Sequence, residues 1–304
     1  MRMETLPGNP MSGAPDPSGA FSALAAEVRD ALKRHCYRMM GSAQDAEDCV
    51  QEALLRGWRE YAALRDPGHG RAWLYSIATR VCLDALRARK RRQTLFGPSL
   101  DEGAPGTEPW VEPWVGESAE DIRLAFVSLL QGLSPRARGM LLLHDAVGMT
   151  AAEAGEALGL STAAARSALQ RAREALPPRV PMKIDLPVAA YVDAWNAGDL
   201  PALIGLLHND IVMTMPPWRR TFVGLGAVEA FLASVWPRHD GFRAVAVTAN
   251  GQPAVAVYTK RGDGPYLAHS LHILAGQGTV SELVLYAPPL GAALFTAFGL
   301  KTLF

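Results

Sequence analysis

Three sets of side chains in this sequence have types and spacings that could do chemistry. Asp45, Asp48 and Glu52 recur at i, i+3 and i+7, with Gln51 beside them. At 3.6 residues per turn this spacing collects the carboxylates on one face of a helix. Such a face reads either as an ordinary solvated surface or as a dock for a basic partner. Further on, Arg71, Arg80, Arg87, Arg89, Lys90, Arg91 and Arg92 cluster, with Trp73 and Tyr75 at their near end. Guanidinium groups neutralise phosphates and aromatic rings stack on unpaired bases, so the cluster suits nucleic acid. Trp73 has a second reading as ordinary core. The third set is Thr162, Arg166, Ser167 and Gln170, facing outward on a helix that also carries Arg171 and Arg173.

Acid–base chemistry has weaker support. Asp193, Asp210, His269 and His272 are the candidates for a base, but none has a recognisable partner in sequence. No catalytic residue is assigned, and the chain is expected not to be an enzyme. Cys36, Cys49 and Cys82 are too few and too far apart for a zinc motif or a disulfide framework. They read as small buried hydrophobes in a reducing compartment. No metal and no cofactor is expected. Lys plus Arg and Asp plus Glu both number 30 in 304 residues, so a uniformly nucleic-acid-coated protein is excluded. The charge is segregated instead: the basic cluster is followed by Asp101, Glu102, Glu108, Glu112, Glu117, Glu120 and Asp121.

These residues need elements to position them. Phe21, Leu24, Val28, Leu32, Cys36 and Met39 predict a first helix over Phe21 to Met40, closed by Gly41. Ser42 caps a second helix, whose buried stripe is expected to be Ala46, Cys49, Val50, Ala53, Leu54, Trp58 and Tyr61. After a turn at Asp66-Pro67-Gly68, a third helix over Arg71 to Arg92 turns Leu74, Ile77, Ala78, Val81 and Ala85 inward. Residues 1–20, rich in Pro, Gly and Ser, read as a disordered tail, and the Pro-rich, acidic residues 93–118 as a linker, odd only for Trp110 and Trp114. Helices over Ala119 to Gln131 and Pro135 to Ala146 precede Thr150 to Leu158, a Gly-containing turn, and Thr162 to Leu176. Two short helices, a tight turn and an Arg-bearing second helix make a helix-turn-helix. Beyond Pro177-Pro178 and Pro181, helices are followed by strand-like runs at 242–248, 254–259, 267–274 and 280–286 with Gly turns between. This order predicts an α+β cone with a curved antiparallel sheet. No run approaches the ~18 apolar residues of a membrane span.

Asp45-Ala-Glu-Asp-Cys-Val-Gln-Glu52 resembles the core-polymerase-binding segment of the extracytoplasmic-function group of sigma-70 transcription initiation factors. Arg71-Ala-Trp-Leu-Tyr-Ser-Ile-Ala-Thr79 and Cys82-Leu-Asp-Ala-Leu-Arg87 resemble that family's segment for melting and reading the minus-ten element. Leu133 to Arg138 through Gln170 to Arg173 resembles its C-terminal helix-turn-helix, which reads the minus-thirty-five element. Three motifs in order are far more specific than one. The resemblance implies a bacterial, DNA-binding factor whose partners are core RNA polymerase and promoter DNA, and the few, scattered cysteines and lack of a membrane-length apolar run are consistent with the cytoplasm. It implies that Asp45, Asp48, Gln51 and Glu52 meet the polymerase, that Trp73, Arg80, Asp84, Arg87 and Arg91 face the melted minus-ten strand, and that Thr162, Arg166, Ser167 and Arg171 enter the upstream major groove. Arg80 departs from the Asn often found there. Tyr191 to Leu203 and Met213 to Pro217 resemble the SnoaL-like, ketosteroid-isomerase-like fold. The expected fold is therefore multidomain: a sigma region 2 bundle over 21–92, a region 4 helix-turn-helix over 119–178, and an α+β SnoaL-like domain over 186–304. Two roles for the third domain follow. It regulates the sigma part, by packing on it or by sensing a small-molecule ligand, or it is an isomerase- or hydrolase-type enzyme that the helical part tethers.

Overall fold

The computed structural model describes residues 17–64, 66–96, 111–114, 123–176, 185–216, 220–288 and 290–304. Residues 1–16 of the expected tail, most of the expected linker and Trp110 lie outside the described residues.

Helices α1 (Pro17–Met40), α2 (Ala43–Glu60) and α3 (Gly70–Phe96) form the first bundle. α1 starts four residues earlier and α3 ends four later than the periodicity indicated. Ser42 caps α2 by accepting a hydrogen bond from the Asp45 amide (3.1 Å). The core is built from Leu32, Cys36, Ala46, Val50, Leu74 and Ala78, all buried. The three cysteines are free and buried where these helices meet; hydrogen bonding to Cys82 raises the Cys49 thiol and hydrogen bonding to Cys36 raises that of Cys82, with burial adding to both, so the two lie well above their ordinary range. Trp58 departs from expectation. It is 58 % exposed, because the position that closes the stripe against α3 is taken by Gly57, whose added Cβ would stand 2.6 Å from Leu74.

Helices α4 (Leu124–Gln131), α5 (Pro135–Leu141), α6 (Ala151–Ala157) and α7 (Thr162–Glu174) form the second body, with a π-helical turn at Leu142–Ala146. The third domain opens with α8 (Val188–Ala197) and α9 (Leu200–Ile204). A six-stranded sheet follows: β1 (Leu207–Met215), β2 (Arg220–Val223), β3 (Gly241–Ala249), β4 (Gln252–Lys260), β5 (Leu267–Gln277) and β6 (Thr279–Tyr286). Its order is β2-β1-β6-β5-β4-β3. β1 pairs with β6 in parallel, so the sheet is mixed rather than purely antiparallel. α10 (Leu225–Val235) and α11 (Leu290–Ala297) complete the domain.

The middle of the sheet is buried on both faces, which explains the near-continuous apolar runs of β4 and β5. Val255, Val257, Leu274 and Leu285 point into the cone with α8 and α10. Ala254, Ala256, Tyr258, Ile273 and Tyr286 point the other way and join the apolar cluster of the two helical bodies. Period-2 alternation thus gives one sheet two different interiors.

Candidate functional site

The acidic face of α2 is formed as the spacing indicated. Asp48 and Gln51 are exposed, while Asp45 and Glu52 are half-buried. Glu52 is held by Arg56 within α2 (2.7 Å), and Asp45 lies 3.8 Å from Arg89 of α3. Leu55, at i+3 from Glu52, and Trp58, at i+7 from Gln51, are exposed beside them. The surface is therefore a mixed acidic and apolar strip, and the helical period conceals its apolar half because it places Trp58 on the core side. Exposed large apolar side chains beside fixed carboxylates are characteristic of a protein-docking surface.

On α3, Trp73, Arg80, Asp84, Arg87 and Arg91 follow one another at steps of seven, four, three and four, which keeps them on one helix face. Arg80, Asp84, Arg87 and Arg91 are exposed. Asp84 accepts from Arg87 (2.9 Å) and lies 3.8 Å from Arg56. It thus orients arginines as much as it offers an acceptor of its own. Trp73 is half-buried against Tyr61 (ring centroids 6.3 Å), so neither of its two readings holds alone. Its open side lines a groove of about 450 Å3 with Glu60, Ala63, Leu64, Asp66 and His69.

The helix-turn-helix is α6, a turn through Gly159 (φ +66°) and α7. Thr150 and Glu153 form a reciprocal capping box at the start of α6, and Ser161 caps α7. Ala154, Leu158, Ala165 and Leu169 are buried between the helices. Thr162, Arg166, Ser167, Gln170 and Arg171 are exposed on α7, and Arg171 donates to the Ser167 hydroxyl. Arg173, expected to serve phosphates, is instead ion-paired with Asp145 at the end of the π-helical turn.

A fourth constellation joins all three bodies. The residues Val111–Trp114, expected to lie in a linker, are bound on both sides. The Glu112 amide donates to the Gly41 carbonyl (2.8 Å), and its carboxylate accepts from the Ala43 amide at the start of α2 (2.8 Å). Tyr37 of α1 donates its hydroxyl proton to the Glu112 carbonyl (2.6 Å). From the cone, the Asn250 amide donates to the Trp114 carbonyl (2.9 Å), and its side chain accepts from the Trp114 amide (2.7 Å). The Asn250 side chain also donates to Tyr37 (2.8 Å). Tyr286 of β6 donates to the Val111 carbonyl (2.6 Å), and Gln252 accepts from the Leu124 amide at the start of α4 (2.9 Å). Burial raises the Tyr37 and Tyr286 hydroxyls far above the ordinary phenol range, which keeps both as proton donors.

The two helical bodies also touch directly. Arg138 of α5 is buried, and its guanidinium donates to the Met39 carbonyl, the Gln131 side chain and the carbonyls of Gln131 and Leu133. Burial without a carboxylate partner pulls its pKa down to about 10. Gln131 in turn donates to the Arg38 carbonyl (3.0 Å).

Of the candidate bases, Asp193 and Asp210 are exposed, outside the cone's cavity. His272 is fully buried, between Tyr191 (3.0 Å) and Ser270 (2.9 Å), and desolvation pulls its pKa to about 3. His269 is likewise pulled to about 4. Both are neutral at pH 7, and among the described residues no carboxylate lines the cavity beside them.

Comparison with known proteins agrees with this anatomy. The Sigma-70 region 2 family matches residues 24–92, Sigma-70 region 4 matches 123–176, and the SnoaL-like domain family matches 188–282. The ECF RNA polymerase sigma factor SigG of Mycobacterium tuberculosis is 37% identical over 316 residues, covering 93% of this chain and 84% of its own. The crystal structure of the extracytoplasmic function sigma factor SigJ of the same species covers 92% of this chain and 99% of its own, at 30% identity and a TM-score of 0.64. With sigma regions 2 and 4 in order and a relative of this identity aligned along most of its length, the chain belongs to the extracytoplasmic-function sigma factors and carries a SnoaL-like domain after region 4.

Proposed function

We propose that this sigma factor, which binds core RNA polymerase and directs it to promoters, is held shut by its own C-terminal domain. The observation that carries the reading is the set of hydrogen bonds through Val111–Trp114, which ties α1 and α2 to the β3–β4 turn and β6. Minus-ten and minus-thirty-five elements lie about 25 base pairs apart, roughly 85 Å of duplex at ~3.4 Å per pair. Regions 2 and 4 touch through Arg138, and a compact body of ~160 residues has a radius of gyration near 15 Å. The two regions must therefore part before both elements are read. Parting them requires the region between them, which the SnoaL-like domain grips.

In the open form, Asp45, Asp48, Gln51 and Glu52 dock on basic polymerase surface, with Leu55 and Trp58 adding apolar contact. Arg80, Arg87 and Arg91 take phosphates of the melted strand, and Asp84 fixes their directions. The groove beside Trp73 receives an unstacked base, whose amino groups Glu60 and Asp66 can accept. Thr162, Arg166, Ser167 and Arg171 meet base edges and phosphates upstream. The factor works in the cytoplasm with its polymerase, and its cone binds rather than catalyses: the neutral His269 and His272 have no carboxylate beside them in the cavity among the described residues.

Run-off transcription with purified core polymerase tests the reading. The Tyr286→Phe full chain should initiate more than the unaltered chain, and Met1 to Arg179 alone should differ from both. Equal run-off from all three, with equal core binding, would remove the C-terminal domain from regulation.

A further inference from the structure

The cone holds a second interior that no part of the sigma reading uses. Its cavity has a volume of about 270 Å3, near the lower end of small-molecule sites. A 150 Å3 apolar cavity admits a single benzene ring, so this one has room for one or two rings. One wall is aromatic. Trp195, Trp236 and Phe242 form a cluster with ring centroids 4.5 to 5.1 Å apart. The mouth is cationic: Arg238 and Arg261 line it and are exposed, and among the described residues neither has an ion-pair partner. Between them His239 carries a buried Nδ1 with no hydrogen-bond partner, against His269 at 4.9 Å between ring centroids.

The charge balance is one-sided. Among the described residues no Asp or Glu lines the cavity. Burial together with the fields of Arg261 and Arg238 keeps His239 below its ordinary pKa. The histidines therefore act as neutral hydrogen-bonding groups, and the two guanidinium groups in the lining set its sign, with the Asp240 carboxylate held just outside it by the Gly262 amide. Flat apolar walls select a ring, and a paired cationic mouth selects an anion that can take two-pronged hydrogen bonds.

We infer that the cone binds a small one- or two-ring carboxylate, its ring against Trp195, Trp236 and Phe242 and its carboxylate at Arg238, Arg261 and His239. The inference goes beyond the promoter reading. It concerns the cone alone and would hold even if occupancy left transcription unchanged. It also has a route to the clasp. His272 and Leu285 face the cavity, and Leu285 immediately precedes Tyr286, whose hydroxyl holds Val111 on the opposite face of the sheet.

Isothermal titration calorimetry of the full chain with sodium 2-naphthoate and, separately, with uncharged 2-naphthamide tests it. The expected result is one saturable site per chain for the naphthoate, with the amide at least about tenfold weaker. The Arg238→Ala/Arg261→Ala double variant, altered only at exposed positions, should lose a similar factor for the naphthoate and little for the amide. Three results would overturn the inference: no heat from the naphthoate up to about 1 mM, equal affinities for acid and amide, or an unaffected double variant.

Discussion

Asn250 is buried with φ of +54°, a backbone conformation that costs a side-chain-bearing residue about 1 kcal/mol unless something repays it. Here the side chain does, accepting from Trp114 and donating to Tyr37. The two contributions can be separated. Asn250→Gly keeps the backbone free of strain but leaves the Trp114 amide buried and unpaired, at a cost of about 1–3 kcal/mol. Asn250→Ala should cost about 1 kcal/mol more. Guanidinium unfolding of both variants checks this; equal losses would mean the turn is not constrained, and no loss would mean the contacts to Trp114 and Tyr37 contribute nothing. The Asn-Gly pair is legible as a turn in sequence. Its partners are not, because they lie 136 and 213 residues away. Trp58 fails for a related reason: helical period puts it on the apolar side, but only the packed structure shows that Gly57 lets α3 approach there instead.

At the scale of elements, the approach of α6 to α7 depends on Gly155, where an added Cβ would stand 2.6 Å from the Ala165 Cβ. Gly155→Ala should cost about 1–3 kcal/mol by overpacking and, by pushing α7 out of place, weaken binding of an upstream promoter fragment in fluorescence anisotropy. Adding Ala165→Gly removes the opposing methyl and should restore much of the affinity, less the ~1 kcal/mol that a mid-helix glycine costs. No rescue would mean that the spacing of the two helices does not set the reading surface. The helices were legible because each buries one stripe at a 3.6-residue period. The strands β3 to β6 were legible as apolar, strand-like runs between glycine turns. The parallel pairing of β1 with β6 was not, since nothing local distinguishes it. Nor were the short β2 and α11, whose residues alone specify no partner.

Across the whole molecule, neutral histidines lie in different bodies. His35 is buried in the first bundle against Thr79 (2.8 Å), and His272 is buried in the cone. Desolvation takes both from an ordinary 6.5 to about 3. The unfolded chain therefore binds protons before the folded one does. The stability these residues contribute is complete above about pH 6.5 and is lost as pH falls toward the folded-state values, by up to about 1.4 kcal/mol per unit for each histidine. Denaturant midpoints should fall steadily between about pH 7 and pH 5. A flat profile would contradict the burial of both rings. The bond from Tyr286 to Val111 also has a consequence in time. It spans 175 residues, and a ribosome adding about 5–20 residues per second needs roughly 9–35 s to cover that distance. For that interval every nascent chain has finished making the acidic face of α2 and lacks the tyrosine that fastens the segment beside it. Newly made molecules thus pass through an unfastened stage once, on a schedule set by translation rather than by any equilibrium.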